Sequence, residues 1–598
     1  MSKPTIEHLE NPEIRAVHDS YAVDKNDEQI TVLGTFGQDP DEKKIISWRT
    51  IIVFALCALA QMQNTYLGIA PAANAYAITG AIGGTSGQRI WIVQAQGVPS
   101  IVTGPIMAIV SDVYGRRWVV ILAWLLFCVS AIVSMTANDV NGVIAGQALA
   151  GVSAGISGIM YAVASEVLPS VYRAYAQTIV NVVSSSAAVI ALIGMGRATA
   201  ADPVNGWRWV FRTLLIFDAI CLLGFVFFYH PPPRTVSHGT LWFKIKSLDW
   251  IGYFLLIAGL VPLLMGFAWS SDSNIGWHDP HSYVPVAIGS DMLRVAPAEW
   301  KGTTRGFLDH RLFQNGRNFP LSMFLIAVEG SLFYLINNIY SSEMNGLWAM
   351  PGTMDANARL LPFFLVIFVV APIMSYCKAT ATGLVTGGPL TAGFLCFAVA
   401  IIGFAMSGTN KNMATAFNAV GGIGFSAPLI LLVTLVQLSA PPLFIGIASA
   451  LTISVRTLGG VVGYAIAAAI YASKTNDQIP AAIIKATVPL GFNPQYLGQL
   501  IGFLMSGQGL DAIPGINGQI IGAASAAMKA TQAHGYKITW FAFLPGAVLA
   551  AIGCACFENP KDRINWIVDA PLKTEEVKAQ ATTADGDSAH DDKAADLA

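Results

Sequence analysis

Thirteen stretches of roughly twenty apolar residues recur along the chain, near 50–70, 89–110, 118–136, 142–163, 174–196, 209–229, 249–269, 318–340, 359–377, 384–407, 414–437, 443–472 and 538–557. About 20 such residues span the hydrocarbon of a bilayer as a helix. Lipid offers no partner to a free backbone N–H or C=O, so helices or closed barrels are the only spanning structures. Runs of this length specify helices, and the expected fold class is an all-α polytopic membrane protein. A fourteenth stretch, 282–297, is interrupted by Asp291 and Arg294. A lone charge at the bilayer centre costs about 2.5–3.5 kcal/mol on insertion scales, so this segment needs neighbours to cross. Composition agrees: 12% of residues are charged, against about 25% in a soluble domain.

Loop charges set the topology. Arg116 and Arg117, Arg173, Arg234, Lys244 and Lys246, Lys301, Arg305, Arg311 and Arg317, and Lys378 all fall on one side only if the fourteenth segment crosses. Lysine and arginine favour short cytoplasmic loops. Fourteen spans with both termini in the cytoplasm are therefore expected, with Arg197, Arg208 and Arg212 as exceptions. The parts read as a polar tail over 1–47, six helices over 48–229 and a linker with two extra helices over 230–317. A second set of six follows over 318–557, and a cytoplasmic tail expected to be disordered over 558–598. Within the second set, the loop 473–537 lies outside and carries an apolar stretch, 496–507, too short to span. It reads as a helix packed on the protein or the lipid interface, or as a lid over the external mouth.

Several function classes drop out. No G-x-x-x-x-G-K-[ST] occurs, so no P-loop drives transport from this chain. The formal net charge of −2 gives no basic field for nucleic acid. The histidines fall in tails, loops and interfacial positions, and the seven cysteines mostly in apolar runs. Neither pattern builds a metal site, so no cofactor, no metal and no enzymatic chemistry are expected.

Five loop and span-start motifs and one within a span carry the functional reading. Ser111-Asp112-Val113-Tyr114-Gly115-Arg116-Arg117 joins the second and third runs. An acid at a helix C-terminus sits beside the negative end of the dipole and needs a basic partner. Glu166-Val-Leu-Pro169-Ser-Val-Tyr-Arg173 follows the fourth run, where Arg173 is placed to pair with Glu166 or Asp112. Gly206-Trp-Arg-Trp-Val-Phe211 opens the sixth. Gly306-Phe-Leu-Asp-His-Arg-Leu-Phe313 and Arg317-Asn-Phe-Pro320 precede the run 318–340, the ninth of fourteen spans, and Arg456-Thr-Leu-Gly-Gly-Val-Val-Gly463 lies in 443–472, the thirteenth.

The first motif resembles the G-x-L-A-D-R-x-G-R-R signature of the major facilitator superfamily, with Ala108 and Val113 in place of its first Gly and its Arg. The set resembles the fourteen-span group and, within it, the fungal trichothecene efflux pump family, whose relatives include siderophore–iron transporters. The resemblance implies two six-helix bundles plus two linker helices, rocking about a central cavity. It implies a charge network at the inner gate from Asp112, Gly115, Arg116, Arg117, Glu166 and Arg173. Gln147 stands where many drug–proton antiporters carry an arginine, and their fifth-span glycine-proline motif is absent.

An internal repeat supports the two halves. Pro169 and Pro441 end equivalent runs, and fifteen residues on lie Ser184 and Arg456. Ionisable groups deep in spans are functional candidates. Glu329 is the favoured proton carrier, with a fixed pair to Arg456 as the alternative; Asp218 carries protons or pairs with Arg208 or Arg212. Midplane polar residues, Gln61, Gln63, Asn64, Asn181, Asn337 and Asn338, with Tyr334 as a wall, are candidates for a substrate site.

The function implied is secondary active transport: proton-coupled efflux of a small organic toxin or secondary metabolite by a monomer in the plasma membrane, or in a vacuolar or vesicular one. Small-molecule substrate, protons and the lipid bilayer are the expected partners. Proton-coupled uptake of ferric siderophores is the nearer alternative, and a non-transporting membrane sensor the alternative of another class.

Overall fold

The computed structural model describes residues 47–168, 172–202, 204–231, 249–270, 279–302, 311–314, 316–348, 354–380, 387–440, 445–506 and 516–558. Fourteen long helices follow in order. The first half holds α1 (Trp48–Ala73), α2 (Ser86–Tyr114), α3 (Arg116–Thr136), α4 (Val140–Glu166), α5 (Arg173–Val189, continuing to Ala201) and α6 (Arg208–Phe228). A pair, α7 (Trp250–Ser270) and α8 (Pro280–Gly302), links it to the second half. That half holds α9 (Asn318–Tyr334, continuing to Trp348), α10 (Met354–Thr380), α11 (Gly387–Ser407), α12 (Lys411–Ser439), α13 (Ile445–Thr475) and α14 (Gly518–Cys554).

The helices start where side chains can take up orphan backbone donors. Thr85 and Gln88 form a capping box at α2. Asp139 caps α4, Asn410 caps α12 and Asn517 caps α14. Gly115 turns the chain between α2 and α3 at φ +96°, a conformation a side chain would strain, and its N–H closes on the Ser111 carbonyl at 3.0 Å.

Packing in one half repeats in the other. In the first, α2 and α3 each pack on α4, α3 on α6, and α1 on α5 and α6. In the second, α10 and α11 each pack on α12, α11 on α14, and α9 on α13 and α14. The halves meet chiefly through α2 with α13 and α5 with α10, again an equivalent pair. The α7–α8 hairpin lies beside that seam, with α7 against α2 and α13.

Small residues set the closest approaches. A Cβ on Gly151 would collide with the Gln96 backbone across α2–α4, and one on Gly422 with the Phe363 backbone across α10–α12. Gly459 and Gly463 similarly face Ala327 and Ser331 of α9. On the outside, α3 exposes Leu122, Leu125, Val129 and Ile132, and α11 exposes Leu395, Val399, Ile402 and Met406. Such helical stripes of bare apolar side chains face lipid.

Twelve helices among the described residues are long and apolar enough to cross a membrane, so the expected count of fourteen is not established. The segment containing 282–297 does form α8, a helix of 23 residues. Its Asp291 and Arg294 pair with each other at 3.2 Å on an exposed face, and the helix is not among those apolar enough to cross. In α10 the described apolar part, Asn357–Ile373, is shorter than a full crossing.

The segment expected as a loop over 473–537 is largely helical. Helices Gln478–Thr487 and Leu497–Ser506 fold against the first turns of α14, which begins near 518 rather than 538. Together they enclose a small core of their own: Ile483, Phe492, Leu500, Ile520, Ala524 and Met528.

Replacing Gly422 by alanine forces α10 from α12 and is expected to cost about 1–3 kcal/mol, as overpacked cores do. Gly546→Ala, where no atom lies within 4 Å of the added carbon, serves as the neutral control. Thermal unfolding of both variants in detergent measures the difference.

Candidate functional site

Between the halves lies a cavity of about 1080 Å3. It extends from Tyr161, Phe425 and Arg456 to the end of the bundle carrying Ala75, Arg89, Asn476 and Lys529. Of the expected substrate-site residues, Gln61, Asn64, Asn181, Tyr334, Asn337 and Asn338 line it. Gln63 does not; it stands beside Asp218 behind the wall.

The asparagines share a way of presenting themselves. Asn64 donates its amide to Ser157 Oγ at 3.1 Å, and Asn181 to the Gln177 carbonyl at 2.7 Å. Asn337 and Asn338 donate to the Phe333 and Tyr334 carbonyls at 2.8 and 3.0 Å. Each amide nitrogen is thus engaged by the protein, and the side-chain oxygens are acceptors for whatever enters.

Other wall residues carry no strong sequence signal. Phe333 and Phe425 stack at 4.8 Å, and Tyr471 and Tyr536 at 4.3 Å. Trp348, Gln532 and Met528 complete the rim, so the small separate core around Leu500 and Ile520 reaches the mouth of the cavity. No carboxylate lines the cavity among the described residues.

At the deep end of the cavity, Arg456 Nε and Glu329 Oε2 form an ion pair at 3.0 Å. Its guanidinium lies 4.9 Å from the Phe333 ring and 5.1 Å from that of Phe425, within cation–π range. Arg456 is partly open to the cavity, while Glu329 is buried behind it. The fixed pair foreseen as the alternative for Glu329 is present in this state.

Asp218 does not pair with Arg208 or Arg212. Arg208 caps the end of α3 through the Met135 and Ala137 carbonyls, at 2.6 and 2.9 Å, and Arg212 lies over Trp209. Asp218 remains buried on α6.

The expected charge network sits at the opposite end from the cavity mouth. Arg116 and Glu166 form a buried ion pair between α3 and α4, and Arg117 donates to the Val226 carbonyl on α6 at 2.9 Å. Both interactions lie within the first half. The side chains of Asp112 and Arg173 lie outside the described residues.

A neutral network bridges the two halves instead. Ser165 Oγ donates to Gln437 Oε1 at 2.7 Å, and Gln437 Nε2 donates to Ser449 Oγ at 3.1 Å and to the Tyr161 carbonyl at 3.3 Å. Gln177 Nε2 donates to Ser165 Oγ at 3.2 Å. All four side chains are buried. Ser165 and Gln437 are 272 positions apart, the spacing that relates Pro169 to Pro441, and Gln177 to Ser449 repeats it. One serine and one glutamine from each half therefore meet on the pseudo-twofold axis and close that end. Sequence reasoning passed over these residues because single serines and glutamines in spans are common.

Known proteins share the sequence and the fold. The family model described as "Fungal trichothecene efflux pump (TRI12)" matches residues 24–594. Trichothecene efflux pump TRI12 of Fusarium sporotrichioides is 25% identical over 76% of this chain and 77% of its own length. MFS-type transporter prx5 of Penicillium rubens is 24% identical over 72% of this chain and 78% of its own. A bacterial homolog of the human lysosomal transporter Spinster, solved inward-facing and occupied, superposes with a TM-score of 0.50 at 14% identity, covering 87% of this chain and 97% of that one. The fold is that of major facilitator transporters.

Two substitutions separate structure from gating here. Glu166→Gln strips a buried arginine of its carboxylate and is expected to cost about 3–5 kcal/mol, read as loss of thermal stability. Gln437→Ala removes the bridge across the halves and is expected to favour the form open at the opposite end. A severalfold rise in thiol labelling of an Ala164→Cys reporter measures it; unchanged labelling shows that closure does not need the network.

Proposed function

The chain belongs to the fungal trichothecene efflux pump family, and from that premise we propose that it exports an uncharged, oxygenated, largely apolar secondary metabolite of the trichothecene type in exchange for protons. The observation that carries the cargo class is the cavity wall: aromatic faces, four asparagine oxygens and no carboxylate among the described residues. Apolar walls with a few convergent polar groups suit such a molecule. Hydroxyl donors on the cargo meet the asparagine oxygens, and a cationic drug finds no counter-charge. The relative from Fusarium sporotrichioides, a trichothecene efflux pump, supports export rather than siderophore uptake.

On the topology read from the loop charges, the arginine-rich end faces the cytoplasm and the cavity opens outward. The Ser165–Gln437 bridge then closes the inner gate, and the chain acts as a monomer in the plasma membrane. Protonation of Glu329 releases Arg456 toward the cavity, so cargo and proton compete through one guanidinium. A transporter couples its two ligands only through such a difference between states.

Inside-out vesicles under an imposed pH gradient are expected to accumulate a labelled trichothecene; uptake of labelled ferric siderophore by intact cells, without that accumulation, overturns the reading. Asn338→Ala is expected to raise KM about threefold to tenfold, the loss of one hydrogen bond. Glu329→Gln is expected to abolish gradient-driven flux and spare exchange between equal pools. Normal driven flux in that variant removes Glu329 from the mechanism.

A further inference from the structure

Glu343 lies beyond the apolar run read over 318–340, and nothing in the motifs points to it. It is 1% exposed. Its carboxylate accepts one described hydrogen bond, from Trp540 Nε1 of α14 at 3.0 Å. Among the described residues it has no ion-pair partner, in contrast to Glu166 and Glu329.

The surroundings offer little charge. On α9 itself Tyr340 is the titratable neighbour, and its hydroxyl bonds to Thr415 of α12 at 3.3 Å. Arg359 of α10 stands beyond that, donating to Thr415 Oγ1 at 3.1 Å. From α11, Phe404 stacks on Trp540 at 4.5 Å. On α14, His534 and Lys537 are exposed. A desolvated carboxylate held by a single neutral N–H costs several kcal/mol, and binding a proton removes that cost.

The position also connects to the cavity. Glu343 sits between two π-helical segments, Leu335–Ile339 and Met344–Trp348, a local winding frequent at functional sites. One turn toward the mouth, Gly346 faces Gln532 and Tyr536 of α14, and all three line the cavity. The α9–α14 seam therefore carries the acid on one level and the cavity rim on the next. The first half has its counterpart: Asp218 of α6 beside Gln63 of α1, at the equivalent seam.

We propose that Glu343 is a second proton-binding site of the transport cycle, loaded while the cavity is open at its rim and emptied when α9 and α14 shift against each other. This rests on the proton-driven export reading. The step is a plain proton transfer between water and one carboxylate oxygen, with Trp540 holding the ionised form.

Infrared difference spectra of the full-length protein in lipid, stepped in pH, read the site without any cargo. The parent is expected to show a buried carboxylic-acid band that disappears as pH rises. Glu343→Gln is expected to lose that band, and Glu329→Gln to keep it. Trp540→Phe preserves the carboxyl and removes its hydrogen bond, so it is expected to move the midpoint of the titration. A band unchanged in Glu343→Gln, or a midpoint in Trp540→Phe equal to the parent's, overturns the proposal. Failure of labelled trichothecene to move in vesicles would instead count against the export reading, leaving the band to decide Glu343.

Discussion

The cavity has its shape because one glutamine closes its base. Gln437 gives its oxygen to Ser165 in one half and its nitrogen to Ser449 in the other, in a place from which water is excluded. Left unmade, such bonds cost about 1–3 kcal/mol per buried group; made, they gain far less. That asymmetry suits a gate. The closed end is well defined because both polar atoms of Gln437 are satisfied, yet little net energy must be supplied when the partners leave together and find water. The charged pair Arg116–Glu166 is kept inside one half, where it steadies α3 against α4 and need not break.

Duplication explains much of the rest. Each half is the same six-helix packing, so a residue near the axis meets the equivalent stretch of its own repeat. Ser165 and Gln177 face Gln437 and Ser449 for that reason. The same geometry leaves α3 and α11 on the outside, where their bare leucine, valine and isoleucine stripes meet lipid. Acids that escape both the gate and the lipid collect at the seams between first and last helices, as Asp218 and Glu343 do.

Apolar runs made the helices legible, because a span must satisfy its own backbone over about 20 residues. Their limits were less so. α14 begins some twenty residues before its apolar part, since Asn517 caps it and a separate small core holds its first turns. The α8 segment could be read as helical, but its exposed Asp291–Arg294 pair leaves its crossing undecided by composition. In the cavity, polar residues in the middle of runs were visible candidates, and Asn64, Asn181 and Asn338 do face it. Gln63 looked identical in sequence and faces Asp218 instead, because side-chain direction depends on helix rotation that hydropathy does not encode. The bridge at the base was invisible for a different reason: its partners are 272 residues apart and carry no charge.

α14 has one further property that follows from its length. As 37 continuous residues it reaches about 55 Å, more than a bilayer core requires. Its first turns belong to the small separate core, its middle carries Gln532, Tyr536 and Trp540, and only past these does Pro545 interrupt the backbone hydrogen bonding. The portion ahead of that proline behaves as a lever with its handle in the aqueous phase. Whatever grips the handle holds the cavity rim as well.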